Sequence, residues 1–308
     1  MRIAVFGCGA MGSVYAGLLA SNGHSVICID HNQAHVDAIN ANGLRVSGAS
    51  GDRTVPVKAY REAPGAEVDL LIIALKAARV GATSDARSMV GSTGCVLTIQ
   101  NGLGSADIVA DIFGAEKLIV GVAQGFGASL REPGHSHHND MKGIRMGRYA
   151  ENSRAQLDNV VSAFSGAGFD AEAVSNIEVV QWEKLICNVA YSGPCALTGM
   201  TVGEVLDDPF IGPVSRAAAI EAWEIAKKRG IPIAVDDPVA YIREFANRMR
   251  AAKPSVLLDI EAGRRSEIDV INGAVEREAA LVEAAAPVNA TITALVRSLE
   301  ERTIPGGN

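Results

Sequence analysis

Between residues 2 and 99 the chain alternates short aliphatic and β-branched runs with stretches of helical period. Residues 2–6, 25–29, 69–74 and 95–99 are almost continuously apolar. That is the pattern of parallel strands covered on both faces. Amphipathic segments at 11–21 and 33–42 lie between them, so the first hundred residues predict the βαβ rhythm of a doubly wound sheet. After Gly121 the pattern changes. The turn residues at 125–127 and 133–134 and the polar run 135–140 predict antiparallel strands that finish a first domain near Ser175. From Ile177 onward apolar positions recur with helical period over 177–191, 211–229, 236–251 and 267–285. The expectation is an α/β chain: an N-terminal Rossmann doubly wound sheet over 1–175 and an all-α C-terminal domain over 176–308. The residues 305–308 form a short Pro-Gly tail.

With 308 residues the chain is long enough for two domains that each bury a core. No apolar run approaches the roughly 18 residues a membrane span requires, and the sequence opens on a strand instead of a basic targeting segment. A cytoplasmic protein with no membrane partner is expected. The formal charge of −7 offers no basic surface for nucleic acid. Five cysteines (Cys8, Cys28, Cys95, Cys187, Cys195) show no C-x-x-C spacing and read as reduced, packed thiols. His135, His137 and His138 sit in a turn-rich segment without matching carboxylates, so no metal is expected.

The most specific local signal is Gly7-Cys8-Gly9-Ala10-Met11-Gly12, a G-x-G-x-x-G between a strand and a helix. Gly7 permits the tight turn, Gly9 clears the approach of a pyrophosphate, and Gly12 lets helix and strand pack closely. The helix start then offers unpaired N–H groups and a positive dipole end to the phosphates. Asp30 ends the second strand about 20 residues on, where a carboxylate accepts hydrogen bonds from an adenosine ribose and repels a 2′-phosphate; NAD is therefore favoured over NADP. The alternative is that Asp30 caps the helix starting near Gln33. Lys76 follows the third major strand at the carboxyl edge where open sheets bind ligands, and Asn101 leaves the next strand at the same rim, orienting a ligand or stabilising the turn before Gly102.

In the second half, Trp182-Glu-Lys184-Leu-Ile-Cys-Asn188 places a lysine and an asparagine four apart on one helix face among apolar neighbours. Such a lysine is costly unless solvated, paired or used. Turned towards a substrate carbonyl and lowered in pKa by desolvation, it would donate a proton; otherwise it snorkels beside Glu183. Ser255 after Pro254 and Glu267 after Arg264-Arg265 fit first-turn positions of ordinary helices.

Taken together, Gly7–Gly12, Leu75-Lys76-Ala77, Gln100-Asn101-Gly102, Trp182-Glu-Lys184-x-x-x-Asn188, Leu197-Thr-Gly199 and Pro254-Ser255 through Glu267-Ile-Asp-x-Ile-Asn-Gly273 resemble the ketopantoate reductase family over nearly the whole chain. The resemblance implies a small 2-oxo acid substrate. Lys184 becomes the general acid, and Glu267 an assisting carboxylate that also borders the cofactor. Asn101, Asn188, Ser192 and Ser255 become substrate contacts, with Lys76 and Asn101 beside the cofactor and Asp259 in support. Two positions depart from the pattern. Ser192 stands where the family carries a second asparagine, and Asp30 where a basic residue for NADP is common. Both point to a relative that reduces another branched or aromatic 2-oxo acid with NAD. The helical domain, rich in alanine, suggests a homodimer. Two competing readings are a β-hydroxyacid dehydrogenase, whose glycine-rich substrate signature is missing from residues 175–182, and a binding protein that senses NAD(H) without turnover.

Overall fold

The computed structural model describes residues 1–125, 127–140, 143–151 and 155–304; Phe126, inside the expected turn at 125–127, and the tail 305–308 lie outside them. Contacts divide the chain into two compact units. The first holds Met1–Gln100 and Ser105–Ile177, the second Asn101–Gly104 and Glu178–Asn308. Among the described residues no helix is long and apolar enough to cross a membrane.

In the first unit an eight-stranded sheet runs in the order β12 (Asp170–Ala173), β11 (Gly143–Arg148), β8 (Leu118–Ala123), β7 (Val90–Thr98), β6 (Val68–Ile73), β1 (Arg2–Phe6), β2 (Ser25–Ile29) and β5 (Lys58–Tyr60). Only the β11–β8 pair is antiparallel. The strands read from apolar runs are the central ones. Ala4, Val5, Leu70, Leu71, Ile72, Ile73, Val96 and Leu97 are buried to completion, because helices cover both faces of a parallel sheet. The order reverses at β1, which pairs in register with β2 on one side and β6 on the other. The crevice at the carboxyl ends of β1 and β6 is therefore the topological switch point, where ligands bind in open α/β sheets.

Helices α1 (Ala10–Ser21) and α2 (Gln33–Asn42) follow β1 and β2 as the periodicity predicts. A second, four-stranded sheet, β4 (Arg53–Val55), β3 (Leu44–Gly48), β10 (His135–Asp140) and β9 (Gly127–Glu132), packs against α1. Its β3–β10 pair is parallel, so the antiparallel finish expected after Gly121 is only partly realised. His135 and His137 both reach Ser47 Oγ, at 2.8 and 3.1 Å. Helices α3 (Ser105–Phe113) and α4 (Leu157–Gly166) complete the unit.

The second unit is helical, built from α5 (Ile177–Thr198), α6 (Val202–Asp207), α7 (Ile211–Lys228), α8 (Pro238–Arg248), α9 (Ser255–Glu261), α10 (Asn272–Ala280) and α11 (Pro287–Thr303). Periodicity stops α5 near residue 191, yet the helix continues through Pro194 to Thr198. The missing N–H of Pro194 is tolerated because Tyr191, Cys195 and Ala196 are all buried. Gly193 adds a packing reason, since a Cβ there would run into Ile292 of α11. All five cysteines are free and buried.

Candidate active site

The glycine-rich turn has the shape its spacing predicts. Gly7 takes φ +91°, and a Cβ on it would come within 2.8 Å of the Leu75 backbone nitrogen at the end of β6. A Cβ on Gly12 would collide with the carbonyl oxygen of Gly7, so α1 sits directly on the turn. Around Gly9, by contrast, nothing lies within 4 Å of the position a Cβ would take. The N–H groups of Gly7 and Cys8 are used by the carbonyl of Ile29, at 2.8 and 3.2 Å. The first helical bond runs from Ser13 to Gly9 at 2.9 Å, and no side chain caps the helix, so among the described residues the N–H groups of Ala10, Met11 and Gly12 have no acceptor. Open space beside a glycine and a fan of unpaired donors at a helix start fit a dinucleotide pyrophosphate. Cys8 itself is turned into the core beside Ser13, so only its backbone borders the turn.

Asp30 lies at the end of β2, 9% exposed, and its carboxylate accepts from the Asn32 N–H at 2.9 Å. The helix cap itself is Asn32, whose side chain accepts from His35 N–H. Asp30 is thus not the cap of α2, and the alternative reading of this residue is corrected. His31 Nδ1 stands 3.4 Å from its Oδ1. Lys76, exposed, opens the turn after β6. Gln100 ties the two strand ends together, donating to the carbonyls of Ile73 and Leu75 at 2.7 and 3.0 Å.

Asn101 was expected on the rim of the first domain, yet Asn101–Gly104 packs with the helical unit. Gly102, at φ +75°, has the Val270 carbonyl where a Cβ would stand. Leu103 N–H donates to the same carbonyl at 2.9 Å, and Arg277 Nη2 donates to Leu103 O at 3.1 Å. This clamp fixes Asn101 so that its Oδ1 accepts from Lys184 Nζ at 2.7 Å. Lys184 is half-buried on α5 between the buried Trp182 and Leu185. Burial drives its pKa down from 10.5 to about 8, and the charge of Glu267 acts in the opposite direction. An ammonium held by an amide oxygen, beside a carboxylate and close to neutrality in pKa, is equipped to give up a proton to a carbonyl oxygen.

Asn188 and Ser192 follow Lys184 at successive spacings of four on α5; Asn188 is half-buried and Ser192 buried. Ser255 is exposed at the first position of α9, behind Pro254 as cap. Asp259, buried on α9, holds Arg264 at 2.9 Å. Arg277 had no signal in the sequence beyond its place on a helix, because its role depends on a carbonyl 174 residues away. Among the described residues no group of three His, Cys, Asp or Glu side chains could hold a metal ion.

With that geometry in view, comparison with known proteins decides the family. The model of "Ketopantoate reductase PanE/ApbA" matches residues 3–151, and that of its C-terminal domain residues 176–300. The chain belongs to the ketopantoate reductase family. A 2-dehydropantoate 2-reductase of Pyrococcus horikoshii is 31% identical across the full length of both chains. The structure of a ketopantoate reductase family member from Ralstonia eutropha superposes with a TM-score of 0.89 at 29% identity, covering 98% of this chain and 99% of that one. A D-mandelate dehydrogenase solved with NADH and anilino(oxo)acetate shares the fold, at TM-score 0.90, 24% identity and coverage of 98% and 99%. The ketopantoate reductase match displaces the β-hydroxyacid dehydrogenase and NAD(H)-sensor readings, and brings with it the class of reaction: oxidoreduction of a 2-oxo acid with a nicotinamide cofactor.

Proposed function

We propose that the protein reduces ketopantoate or a related branched or aromatic 2-oxo acid, with Lys184 as proton donor and NAD as the preferred cofactor. The observation that carries the reading is the desolvated Lys184 ammonium, held at 2.7 Å by Asn101 and influenced by Glu267. Residues 1–175 act as the dinucleotide domain. The Gly7–Gly12 turn and the N–H groups of Ala10, Met11 and Gly12 would hold the pyrophosphate, with Lys76 beside it and Asp30 accepting from the ribose hydroxyls. The buried Asp30 carboxylate supports NAD, because a 2′-phosphate beside it would bring like charges together. When bound, the nicotinamide supplies the hydride. Residues 176–308, joined by Asn101, perform the rest. Lys184 Nζ protonates the carbonyl oxygen and is left as a neutral amine, which solvent reprotonates. Asn101 fixes the direction of the ammonium, and Glu267 keeps it charged until transfer. Asn188 and Ser192 extend the same helix face towards the substrate's polar groups, and Ser255 takes its carboxylate. The short Ser192 side chain, in place of an asparagine, favours a substrate bulkier than ketopantoate at that end.

A cytoplasmic homodimer completes the proposal. Five buried free thiols support a reducing compartment, and the exposed Leu258, Leu281 and Leu295 of the helical unit support a partner face.

The test follows NADH and NADPH oxidation by absorbance against ketopantoate and a panel of branched and aromatic 2-oxo acids, for the wild type and Lys184→Met. We expect the variant to lose kcat by roughly 10²- to 10⁴-fold, the range of general acid catalysis, while binding NADH as before. A variant that turns over like the wild type refutes Lys184 as the acid.

A further inference from the structure

Within the helical unit, α5, α6, α7 and α8 enclose a cavity of about 300 Å³ that shares no lining residue with the Lys184 cluster. We infer that this cavity binds a small organic dianion, a phosphate monoester or a dicarboxylate, at a site separate from the reductase chemistry.

Its wall carries donors without acceptors. Ser215 is 2% exposed and lines the cavity, yet its hydroxyl makes no hydrogen bond among the described residues. A helical serine ordinarily satisfies itself on the carbonyl four residues back, so a hydroxyl that does not is able to donate to a ligand in the cavity it lines. Arg216 and Arg243 line the same space, and neither is paired with a carboxylate among the described residues. The one acid in the wall, Asp207, is already engaged by Arg250. Asn247, whose Oδ1 accepts from Arg250 at 3.4 Å, also lines the cavity and adds an amide donor to its wall.

Both arginines line the one cavity beside Tyr191, and both charges act on its phenol against a burial that raises its pKa. Arg216 is folded back over the start of α7, where a Cβ on Gly212 would stand only 3.2 Å from its Nη1. Two guanidiniums, a hydroxyl and an amide in one wall offer the donors that the oxygens of a phosphate or carboxylate accept from. Leu206 and Val239 supply apolar wall, so the ligand has a carbon body as well as a charged head. The volume limits that body to a few carbons.

The test is isothermal titration of the full-length protein with glycerol 3-phosphate and with succinate, at ionic strength held constant with sodium chloride. We expect one or both to bind with Kd below about 1 mM, the stronger probe identifying the head group. Arg243→Gln, an exposed position that the fold does not need, should weaken binding about tenfold or more, the loss of one charge-assisted contact. Ser215→Ala should weaken it as well, and neither change should alter reductase turnover without the probe. The inference is overturned if neither probe binds at roughly ten times that concentration, or if Arg243→Gln binds as tightly as the wild type. The second result would place the anion elsewhere, for instance on the glycine-rich turn. Neither outcome depends on the reductase assignment.

Discussion

Replacing Glu267 by glutamine removes one charge from the neighbourhood of Lys184 and nothing of its shape, so it isolates the electrostatic part of the proposed acid. In the intact protein burial lowers the lysine's pKa to about 8, and Glu267 limits that fall. Without the carboxylate, the full effect of burial is felt and the pKa drops further. Two unit charges about 4 Å apart in an effective dielectric of about 20 interact by about 4 kcal/mol, an upper bound for such a pair. Solvent around two half-buried groups reduces that to about 1.4 kcal/mol, or about one pH unit. Reduction needs the protonated lysine, so kcat/KM should be level at low pH and fall as pH rises through about 8. In Glu267→Gln the same fall should occur about one pH unit lower. In the oxidative direction, which needs the neutral amine, activity should rise at correspondingly lower pH. The assay is a kcat/KM profile in both directions, monitored by nicotinamide absorbance with overlapping buffers. An alkaline limb that stays in place, or moves upward, refutes the claim that Glu267 supports the charge on Lys184.

Two further changes test the cofactor turn. Asp30→Asn keeps an oxygen that accepts from the Asn32 N–H, now at 2.9 Å, while removing the charge; the NADPH-to-NADH ratio of kcat/KM should rise about tenfold or more, and an unchanged ratio would remove Asp30 from cofactor selection. Gly12→Ala sets a methyl against the carbonyl of Gly7, so α1 must shift off the turn; we expect NADH affinity, measured by fluorescence titration, to fall by at least about tenfold, with overpacking costing roughly 1–3 kcal/mol of stability by chemical denaturation.

What the sequence disclosed follows from how local each feature is. β1, β2, β6 and β7 were legible because buried parallel strands are apolar at every position, and the glycine-rich turn because each glycine answers a separate local need. β3, β4 and β5 were not. Arg53–Val55 and Lys58–Tyr60 are three residues each, with exposed Lys58 and Tyr60, and no period can be read over three positions. The extension of α5 past Pro194 was hidden for a different reason: a proline argues locally for a break, and only the packing of Tyr191 and Cys195 overrules it. In the site, spacing brought Lys184 and Asn188 to one face. The partnership of Lys184 with Asn101 spans 83 residues and depends on Gly102, Val270 and Arg277 acting as a clamp, so no periodicity could reveal it.

The lysine proposed to serve the chemistry works against the fold. Its pKa is 10.5 in an unfolded chain and about 8 in the folded one, so between those values the unfolded state holds the extra proton. The folded protein consequently bears the full cost at any pH below about 8 and is relieved of it as pH rises towards 10.5. A fall of about 2.5 pH units, at about 1.36 kcal/mol each, amounts to about 3 kcal/mol. The same helix compensates. Trp182, Leu185, Ile186 and Val189 on either side of Lys184 are buried, and each contributes roughly 1.5–3 kcal/mol on leaving water. Apolar neighbours therefore do two things at once: they exclude the water that would restore the lysine's ordinary pKa, and they anchor α5 firmly enough to keep a reluctant charge in place. A more polar α5 would ease the strain and return the ammonium to a pKa at which it is too weak an acid to protonate a carbonyl near neutral pH.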